Sequence, residues 1–164
     1  MLDNNENIID KILKFENMIN SNKSVFLDLD DIEDIILYYL NEDNFKYAQK
    51  AIDFGVNLYP ENLNIIILKS ELLLLTNKKN EAENLISKFI KFNYSNLDLI
   101  FQKAKILTSK KNYNDSIKLL TNLAFNSELD FYVNDLLFKN YMSIEDYSNA
   151  IKVGNKIILM SPDN

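Results

Sequence analysis

The stretch from Ile32 to Pro60, IEDIILYYLNEDNFKYAQKAIDFGVNLYP, decides the fold, because the rest of the chain repeats it. Apolar residues recur in both of its halves at spacings of three and four, which places them on one face of each of two helices. The first helix would carry Ile32, Ile36 and Tyr39, and the second Phe45, Ala48, Ile52 and Gly55. The stretch therefore predicts a hairpin of two short helices.

The pattern returns every 34 residues, without an insertion or a deletion, to give four copies. One column holds only small residues, which are Ala48, Ala82, Ser116 and Ala150. A second column holds an aromatic residue in three of the four copies, and both prolines of the chain, Pro60 and Pro162, fall in the column where each copy ends. A fixed period of this length is the signature of a stacked array of helical repeats.

The period and these columns resemble the tetratricopeptide repeat family. The segments NFKYAQKA (44–51) and DYSNAI (146–151) are similar to the family's second-helix pattern. The resemblance covers about residues 29 to 162 and implies an all-α fold, an α–α superhelix or solenoid of antiparallel helix pairs. The chain departs from the family in having no Trp, and in having Ile36 and Phe138 where the family has a small residue.

We expect four tandem repeats at 29–62, 63–96, 97–130 and 131–164. The helix pairs are predicted at about 30–41 with 44–57, 63–76 with 79–92, 97–109 with 113–125, and 131–142 with 145–159. Ser95 with Asp98, and Ser143 with Asp146, have the spacing of a capping box at two of these helix starts.

Residues 1–28 precede the first repeat and are predicted to form a helix at about 5–20, followed by a loop. Because end repeats need an apolar face covered, we expect this helix to pack on the first repeat as a cap. The alternative is a role in partner binding or dimerisation. At the other end, the last helix carries Ile151, Val153, Ile157, Ile158 and Leu159, and no polar helix follows it. This favours a longer parent array, with self-association through the open helix face as the alternative.

Charge and composition argue against several functions. The formal net charge of −6 and the pI of about 4.7 are opposite to the basic surface of a nucleic-acid-binding protein. Lys78–Lys79 and Lys110–Lys111 are small basic spots that we interpret as solvated turns in preference to phosphate contacts. The chain has no Cys and no His, so thiol and imidazole chemistry are excluded.

No apolar run approaches the roughly 20 residues of a membrane span, and the N-terminal segment lacks the basic and apolar regions of a signal peptide. We therefore expect a cytoplasmic protein without a membrane partner. Asp30, Asp31, Glu33 and Asp34 could bind a cation or act as acid and base, but acidic residues are favoured at a helix start anyway. We expect no catalytic residue, no metal and no cofactor, and hence no enzyme.

By resemblance, each first helix would line a concave groove through its second, fifth and ninth positions. The groove candidates are Asp30, Glu33 and Leu37; Asn64, Ile67 and Glu71; Asp98, Phe101 and Lys105; and Tyr132, Asp135 and Lys139. A peptide with a basic segment and an apolar anchor would complement this surface. The alternative is that Ile67 and Phe101 are partly buried between helices. The family's carboxylate-clamp subtype is disfavoured, because its places hold Glu33, Leu37, Leu68, Asp98 and Gln102.

Two functions remain from these patterns. The first is a non-catalytic interaction scaffold that binds a protein or peptide partner in the groove. The second is a structural segment of a longer array, or a self-associating module, without a peptide ligand. An RNA-binding helical repeat is disfavoured by the acidic balance.

Overall fold

A computed structural model describes residues 2–21, 26–123 and 130–160, and all the regular structure in them is α-helical. The helices are α1 (Leu2–Ser21), α2 (Leu29–Asn41), α3 (Phe45–Leu58), α4 (Leu63–Leu75), α5 (Lys79–Ile90), α6 (Leu97–Ser109), α7 (Tyr113–Leu123), α8 (Asp130–Ser143) and α9 (Tyr147–Met160). Each predicted helix is present, and its ends differ from the prediction by up to three residues. Residues 124 and 125 of the predicted seventh helix lie outside the described residues.

The first helices begin at a capping residue that also recurs every 34 positions. Asp28, Asn62 and Asn96 each accept a hydrogen bond from the backbone N–H three residues later, at 2.9 to 3.0 Å. These side-chain oxygens satisfy one of the amide groups that a helix start leaves without an internal partner. The capping-box prediction at Ser95 was therefore wrong, because the neighbouring Asn96 is the residue that caps α6. Likewise, Asp146 rather than Ser143 accepts from the amide of Asn149 at the start of α9.

Four of the described connections between consecutive helices contain a residue with positive φ. Asp43, Asn77, Lys111 and Glu145, each 34 positions after the last, have φ between 53° and 63°, in the left-handed region. After α6, the amide of Lys111 donates to the carbonyl of Thr108, and the amide of Asn112 donates to the carbonyl of Leu107, both at 2.9 Å. The same two bonds follow α2 and α8. This is a Schellman motif, in which a left-handed residue satisfies the last carbonyl groups of a helix.

The chain divides into two compact units, Met1–Thr76 and Asn77–Asn164. In the first unit α1 packs on α2, α2 packs on α3, and α4 packs on both α2 and α3. Phe15 of α1 is buried, with ring-centroid distances of 6.3 Å to Tyr39 and 6.2 Å to Phe54. The hydroxyl group of Tyr39 donates to the carboxylate of Glu16 at 2.9 Å. Helix α1 therefore covers one side of the α2–α3 hairpin.

In the second unit α5 to α9 pack each on the next, and α6 also contacts α8. Its buried centre includes Ala104, Leu120, Val133 and Val153. The buried centre also contains polar side chains, since Ser116 and Asn140 are fully buried. The Asn140 amide donates to Ser116 Oγ, its carbonyl oxygen accepts from Thr108 Oγ1, and Ser116 Oγ donates to the carbonyl of Ala104, each at 2.9 Å. These bonds tie α6, α7 and α8 together.

Both glycines of the chain lie inside helices, but in different surroundings. A Cβ atom at Gly55 would lie 2.9 Å from Ile65 Cδ1 and 3.0 Å from Ile32 Cγ2. The closest atom to a Cβ at Gly154 would be Phe138 Cε2 at 3.5 Å, which is an ordinary contact distance. Gly55 is therefore a point of close helix contact, whereas Gly154 lies beside a large aromatic ring.

Candidate protein-interaction surface

In the first unit, the candidate surface is formed by α2 and α4. Asp30 and Leu37 of α2 are exposed, and Glu33 is half-buried. Glu33 Oε2 accepts a hydrogen bond from Asn64 Nδ2 of α4 at 3.2 Å. Two residues named from the sequence are thus in direct contact across neighbouring first helices. Ile67 and Glu71 continue along α4 and are half-buried.

The carboxyl group of Glu33 has a raised pKa. The main cause is burial, which disfavours the charged form, and the negative charges of Asp30 and Asp34 act in the same direction. The hydrogen bond from Asn64 acts in the opposite direction. The ionised form of Glu33 is therefore less favourable at this position than in water.

The other two acidic residues of α2 are neutralised by α1. Lys11 Nζ lies 2.9 Å from Asp31 and 2.7 Å from Asp34. The hydrogen bond to Asp34 is the largest cause of a raised pKa of the Lys11 ammonium group. Of the four acidic residues of α2, Asp31 and Asp34 thus pair with Lys11 of α1, and Asp30 and Glu33 belong to the candidate surface. Among the described residues, no group of three or more acidic side chains is placed to hold a metal ion.

In the second unit, the candidate residues lie on α6 and α8. Phe101 is half-buried and packs against the centre of this unit, and Lys105 is also half-buried. Tyr132 on α8 is 63% exposed, and its ring meets that of Phe131 edge to face, with centroids 5.7 Å apart. Lys139 Nζ pairs with Asp135 at 2.6 Å, one helical turn away. Tyr132 is therefore the exposed aromatic residue of this group.

Two exposed aromatic residues were missed by the sequence reasoning. Phe92 and Tyr94, in the turn between α5 and α6, are both exposed. Tyr94 lines an apolar cavity of about 400 Å³ with residues that include Ile90, Leu97 and Leu119. Helix α5 ends at Ile90, earlier than predicted, and the side chain of Asn93 donates to the carbonyl of Phe89 at 3.0 Å. One feature of the sequence could have indicated Tyr94, because this tyrosine occupies the repeat column in which the first copy has Pro60.

The apolar residues of α9 are divided between two sides of the helix. Val153 is buried, and Ile157 packs against the centre of the second unit. Ile151, Ile158 and Leu159 are exposed. Only these three therefore remain available from the apolar set that the sequence identified. No helix in the described part of the chain combines the length and the apolar character that crossing a bilayer requires.

Comparisons with known proteins bear on the fold. Searches against protein-family models and curated proteins found no match. Among solved structures, a tetratricopeptide repeat protein from Parabacteroides merdae superposes with a TM-score of 0.77 at 13% identity, covering 95% of this chain and 60% of that one. A thermophilic tetratricopeptide repeat protein from Thermus thermophilus gives a TM-score of 0.75 at 15% identity, covering 93% and 82%. A MamA structure gives 0.65 at 12% identity, covering 96% and 91%.

The chain has the tetratricopeptide repeat fold. It is an all-α protein of the α–α superhelix class, as the resemblance predicted. At these identities the similarity establishes the fold alone, and the chain spans about three fifths of the Parabacteroides protein. The boundaries of the four repeats and the roles of the groove residues stay predictions.

Proposed function

We propose that this chain is a non-catalytic protein-interaction module that binds a peptide or partner helix on its first helices. The observation that carries the proposal is the Glu33–Asn64 hydrogen bond, which joins two predicted contact positions on neighbouring first helices of the first unit. A ligand lying across α2 and α4 would meet these residues together. The repeat fold supports the proposal, because stacked helix pairs use such surfaces for binding.

The chemistry of the first-unit surface favours a basic segment in the ligand. Asp30 is exposed, and Glu33 is held partly buried beside two further carboxylates. A lysine or arginine side chain placed here would stabilise the ionised form of Glu33 and relieve the repulsion. Leu37, exposed on the same helix, offers an apolar contact beside the acidic group.

In the second unit, Tyr132 is the aromatic residue that we propose to contact the ligand. Aromatic residues carry a large share of binding energy at protein interfaces, because they bury much area with little loss of side-chain entropy. Phe101 is a weaker candidate than Tyr132, since it is half-buried and packs against the buried cluster of the unit.

The test is affinity capture from the native source with the unmodified chain and three variants of it. We expect Tyr132→Ala, and separately Glu33→Lys, to lose the same captured partner by at least about tenfold. The matched control is Tyr147→Ala on the second helix α9, where the tyrosine is 55% exposed. Equal capture by all forms, with circular dichroism unchanged, would refute the proposed surface.

Self-association is the second candidate, and the exposed Ile151, Ile158 and Leu159 of α9 favour it. Light scattering over a concentration series distinguishes the two functions. A dimer that is lost in Ile158→Lys but kept in Tyr132→Ala would support self-association. A monomer at every concentration would exclude it as the function of this chain.

A further inference from the structure

A basic cavity opens between the start of α5 and the end of α6 in the second unit, and none of the residues of the proposed interaction surface lines it. It has a volume of about 610 Å³, within the range of ligand pockets. It is lined by Asn77, Lys78, Lys79, Asn80, Glu81, Ser109, Lys110 and Lys111. The start of α5 and the end of α6 thus bring together the two lysine pairs that are separate in the sequence.

Most of the positive charge in this cavity is not neutralised by the protein. Lys110 pairs with Glu83. Lys79 Nζ is held at 2.6 Å by the carbonyl of Ser109, a neutral partner that fixes the ammonium group and leaves its charge intact. Lys78 and Lys111 form no ion pair with any described residue, and Glu81 is the one acidic residue in the lining. The lining therefore carries an excess of positive charge, in a chain of net charge −6.

Lys78 occupies a position where a lysine is unfavourable for folding. It is the N-cap of α5, and no side chain bonds the first amide groups of that helix. A cation at this end also opposes the helix dipole. The other copies hold Asn44, Asn112 and Asp146 in this column, and Asn and Asp are good caps. The first amides of α5 are consequently open toward an anion.

Lys111 is a second departure at the same cavity. Its φ of 63° lies in the left-handed region, where Gly and Asn are preferred. The preceding copy holds Asn77 in this column, whereas Asp43 and Glu145 show that the column also accepts other charged residues. Residues that go against local preference are most frequent at functional sites. Here both departures place an ammonium group in one cavity.

We propose that this cavity binds a phosphoryl group, carried either by a small molecule or by a phosphorylated side chain. A dianion matches the lysines and the open amides of α5, because lysine binds phosphate as a point charge and a helix start favours an anion. Nucleic acid fits less well, since a long polyanion would be repelled by the rest of this acidic chain. The site is independent of the proposed interaction surface and of its residues.

The experiment is an NMR titration of the full chain, labelled with ¹⁵N, in a chloride buffer at low salt. The probes are inorganic phosphate and a blocked Gly-Ser-Gly peptide, with and without a phosphate on the serine. We expect the amides of residues 79–81 and 110–112 to shift with phosphate and with the phosphopeptide, and not with the unphosphorylated peptide. Tighter binding of the phosphopeptide would assign the site to a modified protein, and equal binding would assign it to a small phosphate.

The deciding variant is Lys78→Asn with Lys111→Asn, which copies residues that the chain already has in these columns. Asn caps helices and tolerates the left-handed region, so we expect a fold at least as stable as that of the parent. Binding should weaken at least tenfold. The control, Lys14→Gln with Lys46→Gln, removes the same charge from exposed positions on α1 and α3.

Two results would overturn the proposal. One is the absence of phosphate-dependent shifts at these amides. The other is an equal loss of affinity in both double variants, which would mean that binding follows net charge alone. In either case Tyr132→Ala would still test the interaction surface separately, because that residue is not in this cavity.

Discussion

Three positions of the repeat are apolar in the first unit and polar in the second. Leu40, Ala48 and Leu72 belong to the buried apolar cluster of the first unit. The residues 68 positions later are Thr108, Ser116 and Asn140, which hydrogen-bond one another. The same three columns thus hold an apolar set in the first unit and a hydrogen-bonded set in the second.

A second exchange of the same kind separates the first and fourth copies. Ile36 and Ile52 are fully buried in the first copy. The corresponding residues 102 positions later are Phe138 and Gly154, where the large ring lies beside the missing side chain. Phe138 is larger than Ile36, and Gly154 is smaller than Ile52, so the two exchanges offset each other where the ring lies beside α9.

The largest effect is expected when one member of the polar group is made apolar. Asn140→Leu copies Leu72, but removes the two hydrogen bonds that Asn140 makes with Thr108 and Ser116. We expect a loss of about 2 to 3 kcal/mol in the free energy of unfolding, measured by urea denaturation. Asn155→Leu, at an exposed position on α9, should change little.

The comparison is sharpened by the triple variant Thr108→Leu, Ser116→Ala and Asn140→Leu, which carries the complete first-unit set. We expect it to recover most of the stability lost in Asn140→Leu, because these three positions then hold no polar side chain with a lost hydrogen bond. A triple variant less stable than the single one would show that the polar group is required by the backbone of this unit.

The next effect concerns the two glycines. Gly55→Ala should lower the free energy of unfolding by about 1 to 2 kcal/mol, since the new Cβ would press on the branched Cγ2 of Ile32. Gly154→Ala has room and should raise it by about 0.5 to 1 kcal/mol through helix propensity. Opposite signs in thermal denaturation would support the difference, and equal signs would contradict it.

The smallest effect is a dependence on pH at Glu33. Its raised pKa means that the folded state binds the proton more tightly than the unfolded state. Stability from this group is therefore present below the unfolded pKa of about 4.3, and is lost as pH rises through the folded pKa. Glu33→Gln should stabilise the fold at pH 7, by less than about 1 kcal/mol, and have less effect near pH 4.

The corresponding carboxylate of the fourth copy supplies the comparison. Asp135 pairs with Lys139 four residues later, whereas the residue four after Glu33 is Leu37. Leu37→Lys should therefore provide an i,i+4 ion pair and reduce the stabilisation that Glu33→Gln gives at pH 7. If Glu33→Gln stabilises the Leu37→Lys variant at pH 7 as much as it stabilises the parent chain, the pKa of Glu33 is raised by burial alone.

The fold was predictable because its signal is repeated. Small and aromatic columns recur at a constant period, so the errors at single positions, such as Lys79 in an aromatic column, did not obscure the helices. The capping residues also recur every 34 positions. At α6, however, Ser95 was predicted in place of Asn96, because both residue types cap helices and the two are adjacent.

The surface was less predictable, because exposure depends on neighbours that lie far away in the sequence. The groove pattern named Glu33 and Asn64, which are in contact. It also named Phe101, whose packing against the buried cluster of the second unit is not indicated by its sequence neighbours. The basic cavity could not be read as a unit, because Lys78 and Lys111 are brought together by the packing of α5 against α6.

The four left-handed turn residues have a consequence for engineering. None of Asp43, Asn77, Lys111 and Glu145 is a glycine, although glycine is the residue best suited to that conformation. Asn77 and Lys111 line one cavity, so independent contributions are expected only from turns that do not share it. Glycine at several of them would provide a graded series of more robust scaffolds, on which new binding faces could be built without redesigning a single helix.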